Sequence, residues 1–213
     1  MGQRRLEKAL QRFSQEAGGR DYAVQVDWKP FQIDPGTNPS GEEFEAYNRR
    51  RWGSSGWTQH LRQEGRADGA MFADWRWWPN TAKAHQWVAY LRDRCNISTD
   101  KANKVLFQAV YEQGKNISGT ETLVQLAQQS FPDNLQDNWE TLRNFLEQDE
   151  GAKELQREIR QGSQKYGIRG VPFFIIGPDH DPNRRPYGLS GAQSPSTLLG
   201  VLQDVVQEME EDA

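Results

Sequence analysis

The sequence predicts an α/β protein in which a long all-helical segment interrupts a framework of helices and strands. Three observations support this fold class. A helical pattern followed by an alternating strand pattern opens the chain, the middle shows helical periodicity only, and a run of strand-forming residues stands at 171–176. The predicted order is α, β, helical insert, β, β, α, with residues 1–40 and 150–213 in the framework and residues 41–149 in the insert.

The first two elements follow from the periodicity of apolar residues. Leu6, Ala9 and Phe13 recur at helical spacing, which predicts a helix over residues 4–15 that ends before the Gly-Gly pair at 18–19. Residues 22–28 (Tyr-Ala-Val-Gln-Val-Asp-Trp) alternate apolar and polar side chains and end before Pro30. Alternation of this kind predicts a strand with one buried face.

The middle of the chain predicts a series of helices joined by short turns. Turn-forming residues occupy 34–41, and short helices are predicted over 44–51 and 58–63. Later runs are separated by Gly, Pro or Asn, and a last one ends at Gly167. Their apolar positions include Ala84, Val88, Leu91, Leu106, Val110, Leu123, Leu126, Leu135, Leu142, Leu146, Leu155 and Ile159.

The C-terminal part returns to strands and ends in a helix. Residues 171–176 (Val-Pro-Phe-Phe-Ile-Ile) form the strongest strand pattern in the chain, bounded by Gly177 and Pro178. Residues 188–193 are predicted to supply a paired strand. Apolar residues from Leu198 to Met209 then predict a final helix before an acidic tail.

Composition excludes several classes of function. The 213 residues suffice for one folding unit, and a net charge of −4 implies no general attraction for nucleic acid or an anionic membrane. No apolar run reaches the length of a transmembrane helix. A single cysteine fits a reducing compartment, so we expect a cytoplasmic protein, with a plastid as the alternative if a segment precedes Met1. The histidines at 60, 85 and 180 have no metal-ligand spacing, and we expect no metal site.

Pro172 has an unusual position at the entrance of a buried strand. Proline cannot donate to a sheet ladder, so it belongs at strand starts or bulges. If the peptide bond before Pro172 is cis, the N–H and C=O of Val171 face outward and can pair with an extended substrate. The alternative is an ordinary trans proline at the start of an edge strand.

Several segments resemble one known family. Residues 170–174 (Gly-Val-Pro-Phe-Phe) resemble the cis-proline loop of thioredoxin-fold proteins. Residues 28–35, 79–85, 106–111 and 191–193 resemble, in this order, segments of the FrnE-type branch of the DsbA-like proteins. This resemblance implies a thioredoxin-like fold with an inserted helical subdomain, and the activity of a thiol-disulfide oxidoreductase.

The chain departs from the family at the reactive centre. In the family, a first strand and a Cys-x-x-Cys pair precede the segment that residues 2–10 resemble, and the only cysteine here is Cys95. Disulfide exchange needs one thiolate to attack and a second thiol to resolve the mixed disulfide. We therefore expect the first strand to be missing, no catalytic residue, and no redox activity. Either the sequence is truncated, or the fold closes over the space that the first strand would occupy. Cys95 is predicted to be a small buried hydrophobe.

Two other functions share the fold. One is that of the kappa-class glutathione transferases and isomerases, for which glutathione would be the ligand; residues 191–193 (Gly-Ala-Gln) do not match the Asp-Ser pair of that class. The other is a non-catalytic module that binds an extended peptide or thiol substrate. The expected substrate-binding residues are Val171, Pro172, Asn80 and His85, although His85 also fits a hydrogen-bonded helix residue. No cofactor is expected apart from glutathione.

Overall fold

The computed structural model describes residues 1–16, 18–135, 138–179 and 184–211. The chain forms two compact units. The terminal unit holds residues 1–25, 65–70 and 168–213, and the central unit holds residues 26–64 and 71–167. His180, one of the three histidines of the sequence, lies outside the described residues.

Helices dominate the described residues, and short strands lie between them. In chain order the elements are α1 (Gly2–Phe13), β1 (Glu42–Glu43), α2 (Phe44–Trp52), α3 (Thr58–Ala67), β2 (Trp77–Trp78), α4 (Ala82–Cys95), α5 (Thr99–Tyr111), α6 (Thr120–Ser130), α7 (Pro132–Leu135), α8 (Trp139–Glu147), α9 (Ala152–Tyr166), β3 (Phe173–Ile176), β4 (Tyr187–Ser190) and α10 (Pro195–Glu211). The predicted first helix, the helical middle, the paired strands near the C-terminus and the last helix are all present.

The terminal unit is built from α1, α10 and the β3–β4 ribbon. The apolar stripe of α1 is buried, and its Phe13 packs with Leu202 and Val206 of α10. Strands β3 and β4 are antiparallel, with Phe173 opposite Ser190 and Ile176 opposite Tyr187. Phe174 is buried, and Ile176 packs against the α1–α10 cluster. Because alternate residues of a strand face opposite sides, the even-numbered side chains of β3 form its inner face.

The central unit is helical and has an aromatic core. Helix α4 packs against α5, α8 and α9, and its Trp87 and Leu91 are fully buried. A second cluster surrounds Trp75, whose ring contacts Phe44, Phe72 and Tyr111. Glu112 holds the turn before Trp75, because its carboxylate accepts hydrogen bonds from the backbone of residues 71–73. Trp75 is therefore a core residue.

The strand predicted over residues 22–28 is wrong, because this segment has no regular secondary structure. Within the described chain it has no ladder partner, and an isolated extended segment is not stable by itself. Trp28 is held by a helix terminus instead. Its N–H donates to Thr99 Oγ1 over 2.9 Å, and its indole Nε1 donates to Asp100 Oδ1 over 2.8 Å.

The boundaries of the two compact units differ from the boundaries between framework and insert that the sequence predicts. Residues 26–40 and 150–167 lie in the central unit, whereas the prediction assigns them to the framework. The reason is local packing: α9 contacts α4, and Lys29 pairs with Glu158 of α9 over 3.5 Å. Residues 65–70 join the terminal unit, where Asp68 pairs with two basic side chains of α1.

Candidate functional site

The residues around Pro172 leave a free stretch of backbone in the terminal unit. The Val171–Pro172 peptide bond is cis. The C=O of Pro172 accepts a hydrogen bond from the N–H of Gly191 over 2.8 Å. Among the described residues, neither the N–H nor the C=O of Val171 forms a hydrogen bond, and 46% of Val171 is exposed. Val171 therefore combines an unused backbone donor and acceptor with an exposed position in the chain.

The hydrogen-bond pattern of the ribbon shows which way its other backbone groups point. Extending the register of β3 and β4 by one residue places Pro172 opposite Gly191, and the N–H of Gly191 donates to the C=O of Pro172. In an antiparallel pair, hydrogen-bonded positions alternate with positions whose N–H and C=O point away from the partner strand. Phe173 and Ile175 are therefore positions that point away from β4. Within the described residues, no strand pairs with that outer edge of β3.

The N-terminus of α1 packs tightly against the proline. A Cβ placed on Gly2 would lie 2.8 Å from Cγ of Pro172 and 3.1 Å from its Cβ, which is closer than carbon atoms approach without displacement. Phe174 is also near, at 3.6 Å from that position. Glycine at position 2 therefore lets the helix end support the proline, and this support holds the Val171 backbone in place.

A basic side chain of α1 ties two further segments to this site. Arg5 donates through Nη1 to the C=O of Ala192, and through Nε to Asp68 at 2.5 Å. Lys8 lies 3.3 Å from the other oxygen of the Asp68 carboxylate. Burial opposes ionisation of Asp68, but the hydrogen bonds from Arg5 and Lys8 outweigh it and lower the pKa of the carboxyl below its usual value. Residues 191–193, which carry part of the family resemblance, are thus fixed beside Pro172.

Asn80, a predicted substrate-binding residue, lies in the central unit, where its backbone N–H and both polar groups of its side chain have structural partners. Its Nδ2 donates to the C=O of Thr37 and its N–H to Ser118 Oγ, both over 2.8 Å. Its Oδ1 accepts from the N–H of Ala82, the first residue of α4. These bonds join the loop before α4 to two others. A role of Asn80 toward substrate stays a prediction.

His85 also lies in the central unit, half-buried on α4. Its Nε2 is 3.0 Å from the C=O of Phe31, so Nε2 must carry the proton that this carbonyl accepts. Burial lowers the pKa of His85 to about 4, although the hydrogen bond to Phe31 acts in the opposite direction. The imidazole is neutral at pH 7 and anchors residue 31. Its predicted contact with substrate is likewise untested.

Cys95 ends α4 in the central unit and is partly buried. Burial raises the pKa of its thiol, and nearby Arg94 offsets only part of this effect. A raised pKa reduces the thiolate fraction and hence the reactivity. Across the described ranges, no three His, Cys, Asp or Glu side chains lie close enough together to hold a metal ion.

Sequence reasoning missed the residues that support the site. Arg5 and Asp68 are 63 positions apart, so no local pattern pairs them, although Arg5 lies in the segment 2–10 that resembles the family. Gly2 is the first residue of α1, and glycine is not preferred inside a helix. Its presence there is the signal in the sequence that another group approaches the backbone closely.

Comparison with known proteins supports the fold and the family. No curated protein sequence matches the chain significantly. The crystal structure of a probable DsbA oxidoreductase from Streptomyces coelicolor matches with a TM-score of 0.78 at 24% identity, over 97% of this chain and 84% of the other. This likeness confirms the predicted thioredoxin-like fold. In the described part of the chain, every helix is too short or too polar to span a membrane. Residues 1–203 match the model of the DSBA-like thioredoxin domain, and the chain belongs to that family.

Proposed function

We propose that these 213 residues bind an extended peptide through the backbone of Val171, without redox chemistry, as a member of the FrnE-type branch. The observation that carries the proposal is the unused N–H and C=O of Val171 beside Pro172. An extended peptide offers the same two groups at each residue, so pairing needs no particular side chain. Thiol-containing peptides are included among the ligands that this site accepts.

The sequence supports the absence of redox activity. Exchange of a disulfide by two thiols of one protein needs two cysteines, and this sequence contains one. That one, Cys95, belongs to the central unit and has a raised thiol pKa. We therefore propose no dithiol oxidase activity for this sequence. A single thiol also suits the reducing cytoplasm, which we propose as the compartment.

Glutathione remains a ligand to test, because it is itself a short peptide. The loop that the glutathione-dependent class uses is occupied by structural contacts here. The C=O of Ala192 accepts from Arg5, and the side-chain amide of Gln193 donates to the C=O of Ser190. These contacts favour binding through Val171 over a dedicated glutathione site.

Calorimetric titration tests the proposal with a blocked tripeptide, acetyl-Val-Thr-Val-amide, and with glutathione. Val171→Pro removes the N–H of residue 171, and Val171→Thr keeps it with a side chain of the same shape. We expect weak binding of the tripeptide to the wild-type protein and to Val171→Thr, and none to Val171→Pro. Equal binding by all three proteins, or by none, would refute the proposal.

A redox assay tests the second half of the proposal. We expect no reduction of insulin and no oxidation of a dithiol peptide by the 213-residue protein. Activity that disappears in Cys95→Ser would show that the single thiol is catalytic after all.

A further inference from the structure

We propose that two exposed tryptophans at the junction of α2 and α3 form a further binding surface, and that its partner is an acidic peptide segment in which a carboxylate side chain stands beside an apolar one. The surface, which we name the Trp–Arg surface, consists of Arg49, Arg51, Trp52 and Trp57. All four residues belong to the central unit and act through their side chains, whereas the proposed function uses the backbone of Val171 in the terminal unit. The two proposals are therefore independent.

Two large aromatic side chains lie next to each other in solvent at this junction. Trp52, the last residue of α2, is 50% exposed, and Trp57, which precedes α3, is 44% exposed. Their ring centroids are 6.5 Å apart, with an angle of 65° between the ring planes. A single exposed apolar residue is common on a protein surface. Two tryptophans in contact form an apolar patch of the kind that marks an interaction site, because tryptophan is enriched at the centres of interfaces.

Trp57 is held in place from the interior of the central unit. Its indole Nε1 donates to Oδ1 of Asn48 over 2.8 Å, and its ring meets the ring of Trp75 edge to face at 6.5 Å. Asn48 is fully buried, and its Nδ2 donates to the C=O of Phe44. Because the polar atom of the indole is already satisfied, the exposed part of the ring is hydrocarbon. The ring is also fixed before a partner arrives, which lowers the entropic cost of binding.

Arg51 gives the surface a group that can bind a carboxylate. Its Cζ lies 4.5 Å from the centroid of the Trp52 ring, so the guanidinium stacks on the indole. Stacking occupies the flat face of the guanidinium and leaves its in-plane N–H donors for a carboxylate. Its Nε is 3.9 Å from Oδ2 of Asp34, which is too far for a hydrogen bond. The donors of Arg51 therefore have no hydrogen-bonding partner in the part of the chain that the structure describes.

The charge beside the tryptophans is positive and favours an acidic partner. Arg49 is exposed and forms no ion pair with any described residue, although Glu45 lies one turn earlier on α2. Arg50 differs, because Glu42 engages it through two hydrogen bonds. The negative end of the α2 dipole accounts for arginines at this position, but not for the tryptophans beside them. Nucleic acid fits less well, since a net charge of −4 implies no general attraction for a polyphosphate.

Calorimetric titration with two blocked hexapeptides tests the proposal. The probe acetyl-Glu-Leu-Glu-Leu-Glu-Leu-amide combines carboxylates with apolar side chains, and acetyl-Lys-Leu-Lys-Leu-Lys-Leu-amide is its basic counterpart. We expect the acidic peptide to bind about tenfold more tightly at low salt, and to bind more weakly as added salt screens the arginines. Equal or tighter binding of the basic peptide, or binding of neither peptide, would overturn the proposal.

Variants of the surface and of a second exposed site locate the binding. Trp52→Ala and Arg51→Gln should each raise the Kd of the acidic peptide about tenfold. Arg51→Lys should also raise it, because an ammonium group lacks the planar fork of donors. Tyr166→Ala and Arg157→Gln are the matched controls, since both residues are exposed on α9, and they should leave the Kd unchanged. Losses of the same size in the control variants would mean that the acidic peptide binds elsewhere.

The indole N–H signals of isotope-labelled protein report the contact without loss of any side chain. The signals of Trp52 and Trp57, assigned through Trp52→Phe and Trp57→Phe, should shift when the acidic peptide is added. The signal of Trp87, which is fully buried, should not shift. Shifts of Trp52 and Trp57 with protein concentration alone would assign the surface to a second copy of the chain, and shifts only with phosphatidylglycerol vesicles would assign it to a membrane. Either result overturns the proposal.

Val171→Pro separates this inference from the proposed function. It should abolish binding of acetyl-Val-Thr-Val-amide, and the acidic peptide should still shift the signals of Trp52 and Trp57. If the shifts disappear in Val171→Pro, the acidic peptide depends on the terminal unit and the inference is wrong. If the tripeptide fails to bind the wild-type protein while the acidic peptide binds, the proposed function alone is wrong.

Discussion

The terminal and central units differ in where they leave hydrogen-bonding groups unused. Among the described residues of the central unit, the unpaired atoms include the Tyr47 hydroxyl, Oε1 of Gln86 and Nε1 of Trp87, all buried. Among the described residues of the terminal unit, the N–H and C=O of Val171 form no hydrogen bond, and Val171 is 46% exposed. A partner can reach only the second kind.

Under the proposed function, this difference gives the two units different work. The central unit uses polar side chains such as Asn80 and His85 to hold its own loops, so these groups are already occupied. The terminal unit uses Gly2 and Arg5 to fix a loop whose backbone remains available. We infer that recognition of a peptide backbone belongs to the terminal unit, and the following variants separate the two roles.

The largest expected effect is the acid sensitivity of the central unit through His85. Its pKa lies near 4 in the folded protein and near 6.5 when unfolded, so the unfolded chain binds the extra proton between these values. Stability is therefore full above pH 6.5 and falls as the pH drops toward 4, by about 3 kcal/mol. His85→Gln keeps an amide donor for Phe31 and should remove this part of the pH dependence.

Urea unfolding of both proteins at several pH values between 4 and 7 measures the effect. Peptide binding at pH 7 should be the same in His85→Gln and the wild-type protein if His85 only anchors residue 31. Parallel stability curves for the two proteins would mean that His85 does not titrate between these pH values. A large loss of peptide affinity would instead restore its predicted role in binding.

Gly2→Ala should damage the terminal unit and its binding edge together. The added Cβ would lie 2.8 Å from Pro172, and relieving this overlap should cost about 2 kcal/mol of unfolding free energy. Gly200→Ala is the control on α10 of the same unit, because a Cβ there meets nothing within 4 Å. In a helix this exchange should stabilise the protein by about 0.5 to 1 kcal/mol.

Denaturant unfolding and tripeptide titration together distinguish local from global damage. Gly2→Ala should weaken binding of the tripeptide at a pH and temperature where the protein is still folded. If Gly2→Ala is as stable as the wild type and binds equally well, the contact with Pro172 does not support the site.

Much of this architecture is visible in the sequence, because local patterns determine the elements concerned. The stripe from Leu6 to Phe13 predicts α1, and the run at 171–176 predicts β3. The segment at 22–28 has an equally clear alternation but forms no strand, since a strand also needs a partner, which its own pattern cannot reveal. At the site, Val171 and Pro172 follow from a motif. Asp68 could not be predicted, because its contact with Arg5 spans 63 positions.

Asp68→Asn should give the smallest effect, and it tests whether the tie between Arg5 and residues 65–70 matters. Because hydrogen bonds from Arg5 and Lys8 lower its pKa despite burial, the carboxylate stabilises the folded state above its unfolded pKa near 4. This contribution to stability is lost as the pH falls below 4 and then through the lowered pKa of Asp68 in the folded protein. At pH 7 the variant should lose about 1 kcal/mol of unfolding free energy, since the side chains of Arg5 and Asp68 are only 16% and 9% exposed.

Asp74→Asn is the control, because its partner Arg76 is largely exposed, and it should cost about 0 to 0.5 kcal/mol. Equal losses in urea unfolding would make the Asp68 pair an ordinary surface contact, and peptide recognition would then depend on Gly2 and Pro172 without it.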